Sequence, residues 1–188
     1  MSKLKWKPGT MIYPLPPALV SCGTMENSNI LTVAWTGILC TDPAMPYVSI
    51  RKERHSYNII KENGEFVINL ASADLAKQVD FCGVKSGKNI DKFKECNFTK
   101  EQGTETKAPM FKECPISIDC RVKEIKELGT HDMFMAEILA VNVDEKYLDE
   151  TGRFDMEACN LLAYSQGHYY NLGNKLGKFG FSVEKKGK

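Results

Sequence analysis

The alternation of apolar and polar side chains predicts a chain built mainly from short β-strands. In residues 116–123, four apolar residues alternate with four polar ones, which is the period of a strand with one buried face. Residues 133–143 form a longer apolar segment, and residues 125–143 together predict an antiparallel hairpin. Segments rich in β-branched and aromatic residues predict the remaining strands, at 18–23, 30–39, 47–51, 65–70 and 161–164.

Two segments between these strands carry the start and stop signals of short helices. Residues 56–64 begin with Ser56, a suitable N-cap, and residues 72–83 also run from a serine to a glycine, Gly83. Residues 90–96 are weakly helical. Because the helices do not follow every strand, a doubly wound parallel sheet is disfavoured. We expect an all-β to α+β fold, an antiparallel barrel with helical insertions.

The segments outside these elements are rich in turn-forming residues. Residues 41–46 predict a loop closed by two prolines, residues 98–115 an irregular connection, and residues 129–132 a turn. A chain of 188 residues is expected to form a single domain. Within it, residues 1–17 are Pro-rich and predict an N-terminal arm, and residues 174–188 predict a flexible C-terminal tail.

Charge and composition narrow the class of partner. The net charge is +1, so no strong field favours nucleic acid as a partner. No apolar run approaches 18 residues, so we expect no membrane span. The basic N-terminal residues precede no apolar segment, which argues against a secretory signal. We therefore expect a cytoplasmic protein.

The cysteines and histidines do not form a recognisable metal or disulfide pattern. Seven cysteines are present, an odd number, and no two are spaced as Cys-x-x-Cys. Free, mostly buried thiols in a reducing cytoplasm explain them best. The three histidines lie far apart in the sequence. We expect no metal site.

One pair of arginines indicates an anion site. Arg51 and Arg54 follow a predicted strand and precede the predicted helix start at Ser56, where free backbone N–H groups favour negative charge. The loop at residues 85–88, Lys-Ser-Gly-Lys, has small residues that allow close backbone approach. A solvated basic loop would explain the same charges, so charge alone does not decide between the two.

The strand at residues 32–37, Thr-Val-Ala-Trp-Thr-Gly, offers the complementary surface. A flavin ring needs a flat apolar slot, with backbone groups and a hydroxyl along its edge. A lone tryptophan in a strand is more often a core residue, so Trp35 indicates a ligand site only in combination with the two arginines. The Gly-rich fingerprints of dinucleotide and P-loop sites are absent.

In this order, the motifs resemble the flavin reductase-like FMN-binding split-barrel family, and within it the flavoredoxin branch. The resemblance extends from about Pro14 to Gly173 and rests on the segments at 32–37, 42–51, 54–57, 64–70 and 129–132. It implies a six-stranded antiparallel Greek-key split barrel with a few short helices. It also implies a homodimer with FMN bound non-covalently near the dimer interface.

The resemblance also implies a set of cofactor-binding residues. Those expected around the isoalloxazine ring are Ala34, Trp35, Thr36 and Met45. Those expected beside the ribityl chain and phosphate are Ser49, Ile50, Arg51, Arg54 and Ser56. Those expected to close the site after the second helix are Cys82, Gly83, Ser86 and Lys92. Tyr164 and Tyr169 are expected to cover the site, and His131 is the expected catalytic group beside the flavin or the substrate.

The function that the resemblance implies is an FMN-dependent oxidoreductase. Electrons would pass through FMN to flavin, ferric or protein acceptors, from NAD(P)H or a ferredoxin-like donor. An alternative on the same fold is a non-catalytic FMN carrier or sensor. A third possibility, a small-molecule or nucleic-acid-binding β-barrel without flavin, leaves the arginines and Trp35 unexplained, and the near-neutral charge disfavours nucleic acid.

Overall fold

The computed structural model describes residues 1–183, and antiparallel β-strands are its main regular structure. The main sheet has seven strands: β1 (Ala18–Gly23), β2 (Ser28–Val33), β3 (Thr36–Thr41), β4 (Ala44–Arg51), β5 (Glu65–Leu70), β8 (Ile116–Glu127) and β9 (His131–Val143). Two hairpins are separate from it, β6 (Lys100–Gln102) with β7 (Pro109–Phe111), and β10 (Leu162–Ser165) with β11 (His168–Asn171). The helices are α1 (His55–Asn63), α2 (Ala76–Val84) and α3 (Lys92–Glu95), with 3₁₀ turns at Ala73–Leu75, Glu145–Tyr147 and Phe181–Val183.

The strand order gives the barrel its opening. The order is β2-β1-β5-β8-β9-β4-β3, so β2 and β3 follow each other in the chain but lie at opposite edges of the sheet. Only Ala34 and Trp35 separate these two strands, so the sheet must curl until its edges approach each other. The Ser49 N–H of β4 donates to the Trp35 carbonyl at 2.8 Å, which extends the β3–β4 pairing by one residue into this connection. The predicted split barrel is confirmed.

The strand expected at residues 30–39 is in fact two strands, which is why the sheet has seven strands and not the six expected. The chain bends at Ala34 and Trp35, where the Thr36 N–H donates back to the Ala34 carbonyl at 2.9 Å in a tight turn. β-branched and aromatic residues surround the bend, so local propensity favours a continuous strand. The chain has to pass from one edge of the sheet to the other at this point, and this tertiary requirement overrides the local propensity.

Two apolar cores lie on opposite faces of the sheet. Inside the barrel, Phe66 and Phe134 are fully buried, and Tyr57 from α1 meets Phe134 edge-on with ring centroids 5.3 Å apart. On the outer face, α2 and α3 cover a second cluster that includes Leu19 and Phe93. Because both of its faces are covered, β1 is buried along its whole length, which explains why Ser21 is its only polar side chain.

The helix boundaries differ from the predicted ones. Arg54, with an extended backbone, is the N-cap of α1, whereas Ser56 lies within the helix and its hydroxyl accepts a hydrogen bond from Asn29 at 2.6 Å. Gly83 lies within α2, which continues to Val84. A Cβ at Gly83 would lie 3.3 Å from the Cβ of Thr32, so the glycine allows α2 to pack closely on β2.

Three predicted loops are shorter than expected. β9 begins at His131, so His131 and Asp132 are strand residues rather than turn residues. The turn between β3 and β4 is reduced to Asp42 and Pro43. The connection at 98–115 contains the β6–β7 hairpin, and the loop between β6 and β7 covers β8. Asp119, expected on an exposed face, is therefore buried and accepts hydrogen bonds from the residue 104–106 segment.

The N-terminal arm is joined to the domain through Leu15, which exchanges two backbone hydrogen bonds with Tyr164 at 2.8 and 2.9 Å. Residues 1–12 are exposed, and so are nearly all of residues 174–183. The rest of the predicted tail, residues 184–188, lies outside the described residues. All seven cysteines are free thiols, and Cys40 alone among them is exposed. In the part of the chain that is described, no helix is both long and apolar enough to span a membrane.

A buried polar contact joins α1 to β9. The Tyr57 hydroxyl donates to the Asp132 carboxylate at 2.6 Å, and the Lys52 ammonium lies 3.4 Å from the same carboxylate. The Tyr57 hydrogen bond lowers the pKa of Asp132, and the same contact raises the pKa of Tyr57 to about 12. The contact therefore stabilises the folded state only while Asp132 is ionised.

We expect Tyr57→Phe to lower the free energy of unfolding by about 1.5–3 kcal/mol, because a buried carboxylate loses a donor. Urea denaturation at pH 7 measures this. Since the pKa of Asp132 is lowered on folding, its contribution is present above the ordinary aspartate pKa of about 3.9 and is lost as the pH falls below it. The difference in unfolding free energy between Tyr57→Phe and the wild type should therefore shrink in acid.

Tyr47→Phe is the control, since that hydroxyl has no hydrogen-bond partner within residues 1–183. An equal loss of unfolding free energy in both variants would contradict the prediction.

Candidate functional site

Two adjoining cavities lie where β2 approaches β4 at the opening of the barrel. The first, which we call the slot cavity, has a volume of about 250 Å³ and extends along residues 31–35 and 49–51. The second, the basic cavity, has a volume of about 270 Å³ and lies between the start of α1 and the loop after α2. Leu31, Arg51 and Arg54 line both cavities, so the two form one continuous site.

The structure brings most of the residues predicted from the sequence together around these cavities. The predicted residues that line the slot cavity are Ala34, Trp35, Ser49, Ile50, Arg51, Arg54, Gly83, His131, Tyr164 and Tyr169. Those that line only the basic cavity are Ser56, Ser86 and Lys92. These residues come from five separate parts of the chain, and the curled sheet places them together.

Three predicted residues line neither cavity. The Thr36 side chain is buried and its hydroxyl donates to the Tyr47 carbonyl at 2.6 Å. Met45 pairs with Cys40 in the β3–β4 ladder, away from both cavities. The Cys82 thiol is buried 3.7 Å from the Cys96 thiol, within the outer core. For these three residues, a role beside a cofactor stays a prediction.

The slot cavity combines an apolar wall with unpaired backbone donors. The bend at Ala34 and Trp35 takes both residues out of the ladder, and neither N–H group donates to a protein acceptor within residues 1–183. Their carbonyls, in contrast, accept from Thr36 and Ser49. Unpaired N–H groups beside an apolar surface can bind the oxygen or nitrogen acceptors along the edge of a flat ligand.

Two tyrosines border the slot cavity opposite this wall. Tyr164 and Tyr169 pair in the β10–β11 hairpin with ring centroids 5.5 Å apart. The Tyr169 hydroxyl donates to Asp80 of α2 at 3.2 Å, which ties the hairpin to the helix. Burial, followed by the nearby Asp80 carboxylate, raises the pKa of Tyr169 to about 12. Tyr169 is therefore a neutral side chain at physiological pH.

The basic cavity contains a buried ammonium group. Lys92 is only 4% exposed, and its Nζ donates to the Ile30 and Cys82 carbonyls at 2.8 Å each. No carboxylate within residues 1–183 forms an ion pair with it. Burial lowers its pKa, because removing an ammonium from water costs free energy that two carbonyl oxygens only partly offset.

The arginines add further positive charge to the same cavity. Arg51 forms an exposed ion pair with Glu53 at 3.0 Å, whereas Arg54 has no ion pair among the described residues. Together with Lys92 and Lys85, they leave the cavity with an excess of positive charge. The site therefore favours an anionic ligand group, and the solvated basic loop considered from the sequence does not account for the burial of Lys92.

His131 lies where the slot cavity meets the arginines. It is paired with Arg51 in the β4–β9 ladder, and its Nδ1 lies 2.9 Å from the Thr130 hydroxyl. Burial and then the Arg51 charge lower its pKa, and Glu53 opposes them. The imidazole is therefore mainly neutral near pH 7 and has one ring nitrogen that donates and one that accepts.

Sequence reasoning missed several residues that line the site, most notably Asn29. It lies in β2 and is buried beside Ser56. No local signal identifies it, because its partner is 27 residues away. Thr32 and Val33 also line the slot cavity.

Comparison with known proteins identifies the family. A family model described as a flavin reductase like domain matches residues 10–173. The chain belongs to the flavin reductase-like family. A protein of Pyrococcus abyssi is 31% identical over 166 residues, which are 88% of this chain and 95% of the relative.

Solved structures place the chain beside the flavoredoxins. The flavoredoxin of Desulfovibrio vulgaris (Miyazaki F) is 33% identical, with a TM-score of 0.89 over 98% of this chain and 100% of its own. The flavoredoxin from Methanosarcina acetivorans is 30% identical, with a TM-score of 0.87 over the same shares, 98% and 100%. The predicted family and its flavoredoxin branch are confirmed, and the family relationship indicates a flavin-related oxidoreductase.

We expect the pKa of His131 to lie below the ordinary histidine value of about 6.5 and to rise when an anion enters the basic cavity. The anion offsets the Arg51 and Arg54 charges, so binding is coupled to proton uptake and strengthens as the pH falls. NMR titration of the imidazole with and without sulfate, which does not itself titrate in this range, measures the shift. Arg51→Ala should raise the pKa of His131 in the sulfate-free protein, because it removes a nearby positive charge. A pKa that sulfate leaves unchanged would contradict this placement of His131.

Proposed function

We propose that this protein binds FMN across the two cavities and acts as an FMN-dependent oxidoreductase. The observation that carries the proposal is the buried ammonium of Lys92, which has no carboxylate partner among residues 1–183, in a cavity continuous with an apolar slot. A phosphate at one end and a flat heteroaromatic ring at the other match this arrangement. Bound FMN supplies the redox chemistry, because its ring accepts and releases electrons.

The residues fit the phosphate end of FMN by charge. Arg54 and Lys92 offer charged donors, and the Ser56 hydroxyl, which accepts from Asn29, keeps its own O–H to donate. Lys85 and Ser86 lie on the opposite side of the cavity. A phosphate dianion here offsets the excess positive charge and so stabilises the folded chain.

The residues also fit the ring end. The N–H groups of Ala34 and Trp35, which have no protein acceptor within residues 1–183, can donate to ring acceptors, and Tyr164 and Tyr169 line the same cavity. His131 borders this cavity as a mainly neutral imidazole. In the proposed reaction, one of its ring nitrogens can hold or release a proton for a substrate beside the cofactor.

The donor, the acceptor and the assembly are further parts of the proposal. The FMN reductase (NADH) RutF 2 of Rhizobium rhizogenes is 42% identical over 41 residues, 22% of this chain, which supports NADH as one donor to test. A ferredoxin-like protein is the other donor proposed, with flavin, ferric complexes or a protein as acceptors. Ile38 and Leu39 are exposed apolar residues on the edge strand β3, which supports a homodimer. We place the protein in the cytoplasm.

An anaerobic spectroscopic titration tests the proposal. The purified protein is mixed with FMN to measure binding, and NADH, NADPH or reduced ferredoxin is then added in turn. Bleaching of the flavin bands by one donor, with re-oxidation by an acceptor, is the expected result. Tight binding with no reduction by any donor would favour the non-catalytic carrier or sensor. A protein that neither binds FMN nor quenches its fluorescence would contradict the proposal.

We expect Arg54→Ala to weaken FMN binding by about 1.5–3 kcal/mol through loss of a charge-assisted hydrogen bond to the phosphate. Riboflavin has no phosphate, so its affinity should change little. Fluorescence titration with both ligands measures this difference. Arg121→Ala is the matched control, because Arg121 is an exposed arginine on β8 that lines neither cavity. Equal losses for FMN and riboflavin would remove Arg54 from the phosphate site.

A further inference from the structure

Asn29 is a buried polar residue that the proposed reaction does not use. It is 6% exposed, lies in β2, and borders the basic cavity. Its Nδ2 donates to the Ser56 hydroxyl at 2.6 Å, so its carboxamide is attached to the first turn of α1. Its backbone carbonyl accepts from the Cys22 thiol at 3.7 Å, and its backbone pairs with Cys22 in the ladder.

The opposite side of the same carboxamide is covered by Gly87. A Cβ at Gly87 would overlap the Asn29 side chain, lying 2.6 Å from its Cγ and 3.1 Å from its Nδ2. The loop after α2 therefore rests directly on the carboxamide, and a side chain at position 87 would have to displace it. Lys85 and Ser86, which line the basic cavity, are on this loop.

The Asn29 carboxamide therefore lies between the two walls of the basic cavity. One wall is the start of α1, with Arg54 and Ser56, and the other is the loop that carries Lys85 and Ser86. A third group, Lys92, is fixed to the same strand through the Ile30 carbonyl. Both walls therefore contact the side chain at position 29.

We propose that Asn29 and Gly87 form a positioning pair that sets the spacing of the basic cavity and thereby its affinity for a phosphate group. The inference deepens the proposed function and rests on it. The amide has the shape of a carboxylate but no charge, so it spaces the walls without repelling an anion. Asn29 does not need to touch the ligand for this role.

Binding of FMN, riboflavin and inorganic phosphate to four variants tests the pair. The variants are Asn29→Ala, Gly87→Ala, the double variant and Asn29→Asp. FMN and riboflavin affinities are measured by fluorescence titration, and phosphate binding by the rise in Tm of the ligand-free protein. Thermal unfolding without ligand reports any general loss of stability.

Each single variant should bind FMN about tenfold or more weakly, with riboflavin affinity within about twofold of wild type. In the double variant, removal of the carboxamide gives the new methyl group room. Its loss of FMN affinity should therefore be smaller than the two single losses combined. Asn29→Asp keeps the size but adds a negative charge, so it should weaken FMN and phosphate binding and spare riboflavin.

Two results would overturn the inference. One is an equal loss of FMN and riboflavin affinity, which indicates a general structural role. The other is FMN affinity that none of the variants changes. If Asn29→Ala does not fold, Asn29→Asp and Gly87→Ala still give the ratio of FMN affinity to riboflavin affinity. If wild type binds no FMN, the proposed function fails, and the phosphate-dependent Tm of the same variants still decides the inference.

Discussion

The passage of the chain from one edge of the sheet to the other at Ala34 and Trp35 is the constraint on which the rest of the structure depends. Two residues connect strands at opposite ends of a seven-stranded order, so the sheet has to curl. The same bend removes two N–H groups from the ladder at the point where β2 approaches β4. The slot cavity and its unpaired donors are thus direct consequences of the topology.

The basic cavity illustrates a cost that a ligand can offset. Burying Lys92 with no carboxylate partner in the described part of the chain is unfavourable for the ligand-free protein, and the Ile30 and Cys82 carbonyls reduce that cost without neutralising the charge. Perturbed ionisable groups of this kind cluster at functional sites. Because a bound anion neutralises this charge, the free energy that burial of Lys92 costs the folded protein is recovered when the anion binds.

The sequence predicted most strands of the main sheet, the family and most of the residues that line the two cavities, because period-2 alternation and short motifs are local signals. The break at Ala34 was not predictable from propensity, since Val33 and Trp35 favour an extended backbone and only the strand order requires the bend. Ser56 looked like a helix cap because serine often is one, but its buried contact with Asn29 is non-local. The exposed position predicted for Asp119 is wrong for a similar reason, because a loop that is distant in the sequence covers that face of β8.

The gap between β2 and β4 also affects how a ligand could enter and leave. Within residues 1–183, no backbone hydrogen bond joins β2 to β4, whereas β4 with β9 and β8 with β9 pair along ladders. The inner core includes Leu31 and Val33 of β2 and Val48 and Ile50 of β4, so separation of the walls here costs apolar contacts rather than ladder hydrogen bonds. A ligand lying in this gap would complete the barrel wall, so its exchange can proceed by local opening on a faster timescale than global unfolding.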